Sequence, residues 1–183
     1  LSAPLIAPGR TTVASLLKQA GYHTACIGKW HLGLGWAGQT TDDGGLKGGA
    51  VDYAKPLSDG PTTHGFETFY GISGSLDMPP FVWIENDRVV EPPTATKKWL
   101  LECPASPSFE APDVLPTLAR RAVDYVGAHA AEAHAGTPSF LYLPLTSPHT
   151  PILPSPEWQG KSGVGPYGDF VMQTDHCLGQ VLD

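Results

Sequence analysis

Several classes of protein are excluded by what this sequence contains little of. Its 183 residues include three cysteines, Cys26, Cys103 and Cys177, which cannot all pair with one another, so no disulfide framework is implied. Its 11 basic residues are outnumbered by 18 acidic ones and form no patch, which argues against a nucleic-acid partner. No apolar run approaches the roughly 18 residues that a membrane-spanning helix requires. A hydrophobic content of 41% is instead typical of a globular domain.

The two ends of the sequence also lack the signals that usually open and close a domain. Leu1 is not a methionine, and no charged-then-apolar leader follows it. Residues 181–183 continue an apolar helical pattern without a glycine or asparagine to stop it. We therefore expect residues 1–183 to be part of one domain that is truncated at both ends.

The most informative stretch is residues 21–33, which read Gly-Tyr-His-Thr-Ala-Cys-Ile-Gly-Lys-Trp-His-Leu-Gly. Residues 24–27 predict a short buried strand, and Gly28 allows the backbone to turn tightly after it. Lys29 and His31 follow, and residues two apart in an extended segment project to the same side. An ammonium and an imidazole placed in this way are suited to hold one anion, while Trp30 packs on the other side.

A further candidate site residue, His149, follows an apolar run. Residues 139–145 predict an interior strand of a sheet that is covered on both faces. The next residues, 147–151, read Ser-Pro-His-Thr-Pro, so His149 is expected at the carboxyl end of that strand, where open α/β sheets form their active sites. The alternative is a histidine merely held in a loop by its flanking prolines.

Together these stretches resemble segments of the sulfatase family. Residues 21–33 match every fixed position of the family's second signature, Gly-Tyr-x-Thr-x-x-Ile-Gly-Lys-Trp-His-Leu-Gly. Residues 139–151 are similar to the segment in which an apolar strand leads into Pro-His-x-Pro, and residues 64–78 and 160–182 resemble further family segments. The resemblance implies an alkaline-phosphatase-like α/β sandwich, in which helices flank a central mixed, mainly parallel sheet.

The resemblance also implies which residues form the site. Lys29, His31 and His149 would be catalytic, and Lys29, Ser75 and His149 would bind the substrate. Lys29 would bridge nucleophile and sulfate, and His31 would hold the nucleophile or help to release sulfate. His149 would donate a proton to the leaving oxygen or bind a sulfate oxygen. Ser75 is matched by its position within residues 64–78, and an ordinary turn serine is an equally good interpretation.

Two parts of the family's site have no match in residues 1–183. The family's nucleophile is a formylglycine made from the cysteine of a Cys-x-Pro-Ser-Arg motif, whereas Cys103 begins a run with Pro107 in place of the arginine and is interpreted as a loop cysteine. Its divalent cation, usually Ca²⁺, is held by Asp-Asp and Asp-Asn pairs, and the pair Asp42-Asp43 reads instead as a solvated turn. We therefore expect no metal ligands in this chain, Ca²⁺ in the complete domain, and no activity from the chain alone.

The resemblance predicts a sulfuric ester hydrolase of the arylsulfatase type, acting on an aryl or carbohydrate sulfate. A phosphonate or phosphate ester hydrolase of the same superfamily and a noncatalytic anion-binding protein are the alternatives. The family implies a periplasmic, secreted or lysosomal location, and neither nucleic acid nor a membrane is expected as a partner. The sequence does not indicate an oligomeric state.

Local patterns add predictions about structure. Helices are predicted after a cap at residues 11–12, over residues 113–132 and within residues 160–182. A β-hairpin turn is predicted at residues 85–87, and a long surface loop is predicted over residues 92–116. His129 and His134 are predicted to be exposed, because residues five apart do not share one helix face as metal ligands. The side chains predicted to face inward are Val13, Leu16, Leu17 and Ala20 in the first helix and Val171, Leu178 and Val181 in the last.

Overall fold

A computed structural model describes residues 2–39 and 51–183 and shows a mixed sheet flanked by helices. The strands are β1 His23–Lys29, β2 Thr68–Ile72, β3 Ile84–Glu85, β4 Arg88–Val89, β5 Ala95–Lys98, β6 Glu102–Ala105 and β7 Ser139–Tyr142. The helices are α1 Val13–Gln19, α2 Val114–His134 and α3 Pro166–Leu182. The main sheet has the order β4-β3-β2-β1-β7, and β5 pairs with β6 in a separate hairpin. No helix in these residues is long and apolar enough to cross a membrane.

The main sheet is built around β1. This strand runs parallel to both of its neighbours, pairing Ala25 with Thr68 of β2 and His23 with Ser139 of β7. β3 is antiparallel to both β2 and β4, so it alone runs in the opposite direction. The predicted mixed, mainly parallel α/β sheet is confirmed.

Alternate side chains of β1 and β2 divide the core between the two faces of the sheet. Ala25 and Ile27 belong to one buried cluster, which includes Leu118 of α2 and Phe109 from the segment before that helix. Cys26 belongs to the opposite cluster, together with Ala14 of α1 and residues that follow the first strand. Helices therefore cover both faces, as the sandwich requires.

All three predicted helices are present, but two of them bury different side chains from those predicted. In α1 the fully buried residue is Ala14, whereas Val13 and Leu16 are exposed. In α3 the buried residues are Asp169, Phe170, Gln173 and Cys177, whereas Val171 and Leu178 are exposed. Only Val181 of the predicted inward set of α3 packs against the core.

The strand that leads to His149 lies at the edge of the sheet in the described residues. β7 pairs with β1 on one side, and its side chains are half-buried except Tyr142, which is exposed. Phe140 packs against one core cluster and Leu141 against the other. The strand was predicted to be interior, and within the described chain no further strand lies beside it.

Of two further local predictions, one is confirmed and the other is corrected. The turn at 85–87 is confirmed as the β3–β4 hairpin. The predicted surface loop over 92–116 contains the β5–β6 hairpin, and it contributes buried Cys103, Ala105 and Phe109 to the core, so it is more than a surface loop. The pair Asp42-Asp43 lies outside the described residues.

Candidate active site

Lys29, Ser75 and His149 each lie at or after the carboxyl end of one of the three parallel strands. β1 ends at Lys29, Ser75 lies three residues after the end of β2, and His149 lies in the segment that follows β7. The backbone continues these pairings beyond the strands, since the N–H of Lys29 donates to the carbonyl oxygen of Pro144 at 2.8 Å. Parallel strands that end together place their following loops side by side.

Lys29 and Ser75 are in direct contact. The Nζ of Lys29 donates to the hydroxyl oxygen of Ser75 at 3.2 Å, although the two residues lie 46 positions apart in the sequence. Lys29 is half-buried and Ser75 is almost fully buried. An ammonium has three hydrogens, and within the described chain the Ser75 hydroxyl is its only hydrogen-bond partner, so donors remain for an anion. The hydroxyl of Ser75 offers a further donor beside them.

The backbone conformation at His31 differs from the extended one that was predicted. The strand ends at Lys29, and His31 has a positive φ of 55°, so the alternation of an extended segment does not set its direction. Its backbone N–H donates to the carbonyl oxygen of Ser73 at 2.9 Å, which holds it beside the segment that carries Ser75. Its side chain is exposed, and within the described residues it makes no hydrogen bond to Lys29.

Trp30 fixes the turn between Lys29 and His31. It is buried in the opposite core cluster from Ile27, as predicted, and its indole N–H donates to the carbonyl oxygen of Gly33 at 2.8 Å. Its ring stacks near that of His64, which is also buried and lies 2.7 Å from a carboxylate oxygen of Asp59. The turn that presents Lys29 and His31 is thus anchored in the core.

His149 lies in an exposed loop whose flanks are anchored to α3. Before it, the hydroxyls of Ser147 and Thr174 hydrogen-bond across 2.7 Å. After it, buried Ser155 and Gln173 make two hydrogen bonds, from the Ser155 N–H to Gln173 Oε1 at 3.0 Å and from Gln173 Nε2 to the Ser155 hydroxyl at 2.7 Å. These contacts hold the loop beside the sheet edge while its histidine remains open to solvent.

The neighbour of His149 Nδ1 shows which ring nitrogen of this residue carries a hydrogen. Nδ1 lies 2.6 Å from the carbonyl oxygen of Thr150, and a carbonyl oxygen can only accept, so Nδ1 carries a hydrogen. The opposite nitrogen, Nε2, is left available to donate or accept a proton at a ligand.

Two glycines allow the strands that carry these residues to approach closely. Gly28 of β1 faces Gly71 of β2 across the parallel ladder. A Cβ on Gly71 would overlap the carbonyl oxygen of Gly28, and a Cβ on Gly28, which has a φ of +144°, would overlap that of Pro144. Both positions therefore require glycine, one residue before Lys29 and one before Ile72.

None of the three cysteines is suited to attack a substrate. Burial raises the pKa of Cys26 to about 12 and also raises the pKa values of Cys103 and Cys177. All three thiols are free and buried. Cys103 lies within β6, so its interpretation as a loop cysteine is wrong, although it remains a structural residue.

The residues around Lys29 do not make up a calcium site. Asp77, which the sequence did not single out, lies two residues after Ser75 and has a buried carboxylate oxygen without a hydrogen-bond partner. Ca²⁺ requires six to eight oxygen ligands, and one carboxylate does not supply them. Among the described residues, the one trio of histidine, cysteine or acidic side chains close enough to share a metal ion lies elsewhere, and it contains His23, His129 and Glu132.

Comparison with known proteins agrees with this arrangement. The sequence model of the sulfatase family matches residues 3–183. The chain belongs to the sulfatase family. The segments at residues 21–33 and 139–151, which carry Lys29, His31 and His149, therefore lie within the matched part of the chain.

The similar curated proteins are themselves named as sulfatases. The chain is 27% identical to an N-acetylgalactosamine-6-O-sulfatase of Bacteroides thetaiotaomicron, over 97% of this chain and 41% of that protein. It is 32% identical to arylsulfatase A of Bos taurus, over 93% of this chain and 31% of that protein. The chain thus spans less than half the length of these relatives.

Solved structures show the same sulfatase fold. A Bacteroides thetaiotaomicron structure, described in work on the metabolism of multiple glycosaminoglycans, superposes with a TM-score of 0.76 at 24% identity, covering 98% of this chain and 44% of that one. The PsFucS1 sulfatase from Pseudoalteromonas sp. superposes with a TM-score of 0.62 at 18% identity, covering 98% of this chain and 37% of that one. At these identities the superpositions establish the fold.

Proposed function

We propose that the protein is a sulfuric ester hydrolase whose sulfate group is held at the edge formed by Lys29, Ser75, His31 and His149. The observation that carries the proposal is the contact between the Lys29 ammonium and the buried Ser75 hydroxyl, in a chain that matches the sulfatase family along residues 3–183. A fixed cation and a fixed hydroxyl in a partly desolvated edge suit an anionic group that gains charge during reaction.

We propose a role for each of the four residues. Lys29 and Ser75 form the floor and bind sulfate oxygens, since both are at least half-buried and already oriented by each other. His149 is exposed and has Nε2 available, and we assign it proton donation to the leaving oxygen. His31 lies beside the Ser75 segment through its backbone and would assist at the attacking group.

The attacking group is the part that these residues do not supply. The family resemblance implies a formylglycine, and the chain has no Cys-x-Pro-Ser-Arg run that would give rise to it. We propose that the nucleophile and the oxygen ligands for Ca²⁺ lie outside residues 1–183. The contribution of the chain itself is to bind, orient and protonate the ester.

The substrate class is proposed from chemistry and from the named relatives. An ammonium, a hydroxyl and two imidazoles recognise a sulfate monoester and leave its alcohol unspecified. One relative is named for N-acetylgalactosamine 6-O-sulfate and another as an arylsulfatase. We propose a carbohydrate sulfate as the natural ester and an activated aryl sulfate as a usable assay substrate.

The test is turnover by the complete protein with matched esters. Initial rates are measured with an aryl sulfate and with the corresponding aryl phosphate, in the presence of Ca²⁺. We expect kcat/KM to favour the sulfate ester, and we expect Lys29→Ala to lower kcat by about 10²–10³-fold, the usual cost of removing one donor to developing charge. A preference for phosphate would replace this proposal with the phosphate ester hydrolase.

The matched control for that variant is Lys18→Ala. Lys18 lies in α1, near the start of β1, and its ammonium is 3.8 Å from a carboxylate oxygen of Glu67. Because it lies at the opposite end of the strand from Lys29, its loss is expected to leave kcat within about twofold. Equal losses in the two variants would mean that Lys29 acts only through net charge.

A further inference from the structure

A cluster of metal-ligand side chains lies at the opposite end of β1 from the candidate active site. His23 begins β1, and His129 and Glu132 lie in the last turns of α2. One ligand atom from each of the three lies within 4.8 Å of the others. Since six residues of strand separate His23 from Lys29, the cluster is about 20 Å from the anion site. It therefore does not belong to the site already described.

We propose that His23, His129 and Glu132 bind a Zn²⁺ ion, or a related transition-metal ion. Two imidazole nitrogens and one carboxylate oxygen are a ligand set that zinc accepts, with water in the fourth position. Donors around one tetrahedral zinc lie about 3.3 Å apart, and His23 Nε2 is already 3.0 Å from Glu132 Oε2. Rotation of the exposed Glu132 side chain and of the half-buried rings is sufficient to bring all three onto one ion.

The second ring nitrogens of both histidines have the kind of neighbour that a metal site needs. Nδ1 of His129 lies 2.9 Å from the carbonyl oxygen of Tyr125, which must accept, so Nδ1 carries the hydrogen and Nε2 is free to bind a metal. Nδ1 of His23 lies 3.5 Å from a carboxylate oxygen of Glu67 while its Nε2 faces Glu132. Metal-bound histidines usually hold their second nitrogen against a carbonyl or a carboxylate in this way.

The spacing of the two histidines on α2 explains why this site was not predicted from the sequence. His129 and His134 are five apart, and the prediction that both are exposed considered only that pair. His134 is exposed, but His129 is half-buried, and its ring lies 4.8 Å from the ring of His23. His129 and Glu132 are three apart and therefore share a helix face, and the third ligand comes from a strand more than 100 residues earlier.

The ligand chemistry distinguishes this site from a calcium site. Ca²⁺ takes oxygen ligands, whereas imidazole nitrogen favours zinc and its neighbours among the transition metals. Two carboxylates, those of Glu132 and Glu67, also lie against the ring of His23 and favour a dication. A bound ion would fasten the start of the central strand to the end of α2.

The experiment is a zinc titration of the untagged complete protein, stripped of metal and then saturated with Ca²⁺. Isothermal titration calorimetry with ZnCl₂ is expected to show an equivalent of zinc that is lost in His23→Ala and in His129→Ala. Replacement by Co²⁺ is expected to give the visible absorption of a tetrahedral ion in the parent, and that absorption is lost in both variants. Parent protein that binds no zinc, or variants that keep the same stoichiometry, would overturn the proposal.

Three further variants keep the test independent of folding. His134→Ala is the matched control on the same helix, and it is expected to bind zinc like the parent. Glu132→Gln alters a side chain that is 57% exposed, so the fold is retained while the saturable equivalent is lost. Glu67→Gln is expected to weaken zinc binding by about 10- to 100-fold, as the loss of an outer hydrogen bond does. Unchanged zinc affinity in Glu132→Gln, with native circular dichroism, would show that Glu132 is not a ligand and would overturn the proposed site.

Discussion

At the scale of single residues, the pairing of Lys29 with Ser75 is the feature on which the proposed chemistry depends. A lysine side chain has four rotatable bonds, so an unpaired ammonium would sample many positions. The Ser75 hydroxyl, almost fully buried, removes much of that freedom before any ligand arrives. Part of the ordering that a bound sulfate would require is thus already present in the protein.

Replacing Ser75 by alanine tests that pairing. Ser75→Ala removes a donor to the ester and the group that orients Lys29, and a hydrogen bond to a charged group contributes about 1.5–3 kcal/mol. We expect kcat/KM for an aryl sulfate to fall by about 10- to 100-fold. Steady-state kinetics on the complete protein gives the answer.

Ser73→Ala is the control for this prediction. Ser73 lies two residues earlier, and its backbone carbonyl, which accepts from the His31 N–H, is unaffected by the substitution. Rates within about twofold of the parent are expected. Should Ser75→Ala behave in the same way as Ser73→Ala, Ser75 would be an ordinary turn serine.

At the scale of elements, the contact between β1 and β2 depends on the facing glycines. Gly71→Ala would place a methyl group against the carbonyl oxygen of Gly28, which is backbone and cannot rotate away. We expect a loss of about 2–4 kcal/mol in the free energy of unfolding, because the two strands must separate or shift. Urea denaturation followed by circular dichroism measures this loss.

A helical glycine provides the matched substitution. Gly127 lies in α2, and a Cβ added there meets no atom within 4 Å. Gly127→Ala is expected to raise the free energy of unfolding by about 0.5–1 kcal/mol, because alanine loses less backbone freedom on folding than glycine. A Gly71→Ala protein as stable as the parent would show that the sheet tolerates wider strand spacing.

The link between α3 and the His149 loop makes a second prediction at this scale. Thr174→Val keeps the side-chain volume and removes the hydroxyl that contacts Ser147 at 2.7 Å. A double-mutant cycle with Ser147→Ala is expected to give a coupling energy of about 0.5–1.5 kcal/mol in unfolding. We also expect Thr174→Val to lower kcat more than it raises KM, because a looser loop misplaces His149. Additive effects of the two substitutions would show that the loop is held by other contacts.

The helices show which parts of the fold the sequence could predict. The start and end of α1 were predicted correctly because their signals are local: Thr12 and Ser15 form a capping box, and Gly21 has a positive φ. The buried face of α1 was not predicted correctly, because contacts with residues that are distant in the sequence determine which face is buried. Ala14 is buried where the backbone of α1 lies so close to Gly65 that a Cβ on Gly65 would overlap it.

The same reasoning explains α3 and the site. Gln173 is buried because it is hydrogen-bonded to Ser155, and hydrophobic periodicity gives no weight to a buried amide. Lys29 and His149 could be placed at one edge because each follows a strand in the sequence. The contact of Lys29 with Ser75 could be suggested only by resemblance, since 46 residues separate them. Whether Lys29, His31, Ser75 and His149 act in turnover stays a prediction.

At the scale of the whole molecule, three carboxylates favour the folded state at neutral pH. Hydrogen bonds lower the pKa values of the carboxyl groups of Glu91, Glu157 and Asp169. The main hydrogen-bond partner is Ser108 for Glu91, the residue's own backbone for Glu157, and Ser162 for Asp169. Because the folded pKa values lie below the ordinary ones, this stabilisation is complete above about pH 5 and is lost as the pH falls through the folded values. The melting temperature is therefore expected to drop between about pH 5 and pH 3.

Asp169→Asn isolates one contribution to that drop. Its carboxylate accepts the backbone N–H groups of Gly160 and Ser162, each at 2.8 Å, whereas an amide presents one oxygen and a donor. We expect a lower melting temperature at pH 7 and a shallower decline toward pH 3, measured by differential scanning calorimetry. Asp175→Asn, an exposed change in the same helix, is expected to follow the parent. A parallel decline in all three proteins would assign the acid sensitivity to other groups.

The order of the sheet also governs when the anion site can form during synthesis. β1 is translated before its two neighbours, β2 and β7, and β7 is translated more than 100 residues later. A growing chain that has released Lys29 and Ser75 can pair β1 with β2, while the other edge of β1 stays open until β7 arrives. Long-range parallel pairing is slow, and an open apolar strand edge attracts other chains. The nascent protein therefore passes through a stage in which its central strand is its most aggregation-prone part, and a chaperone bound there would protect the strand that later presents Lys29.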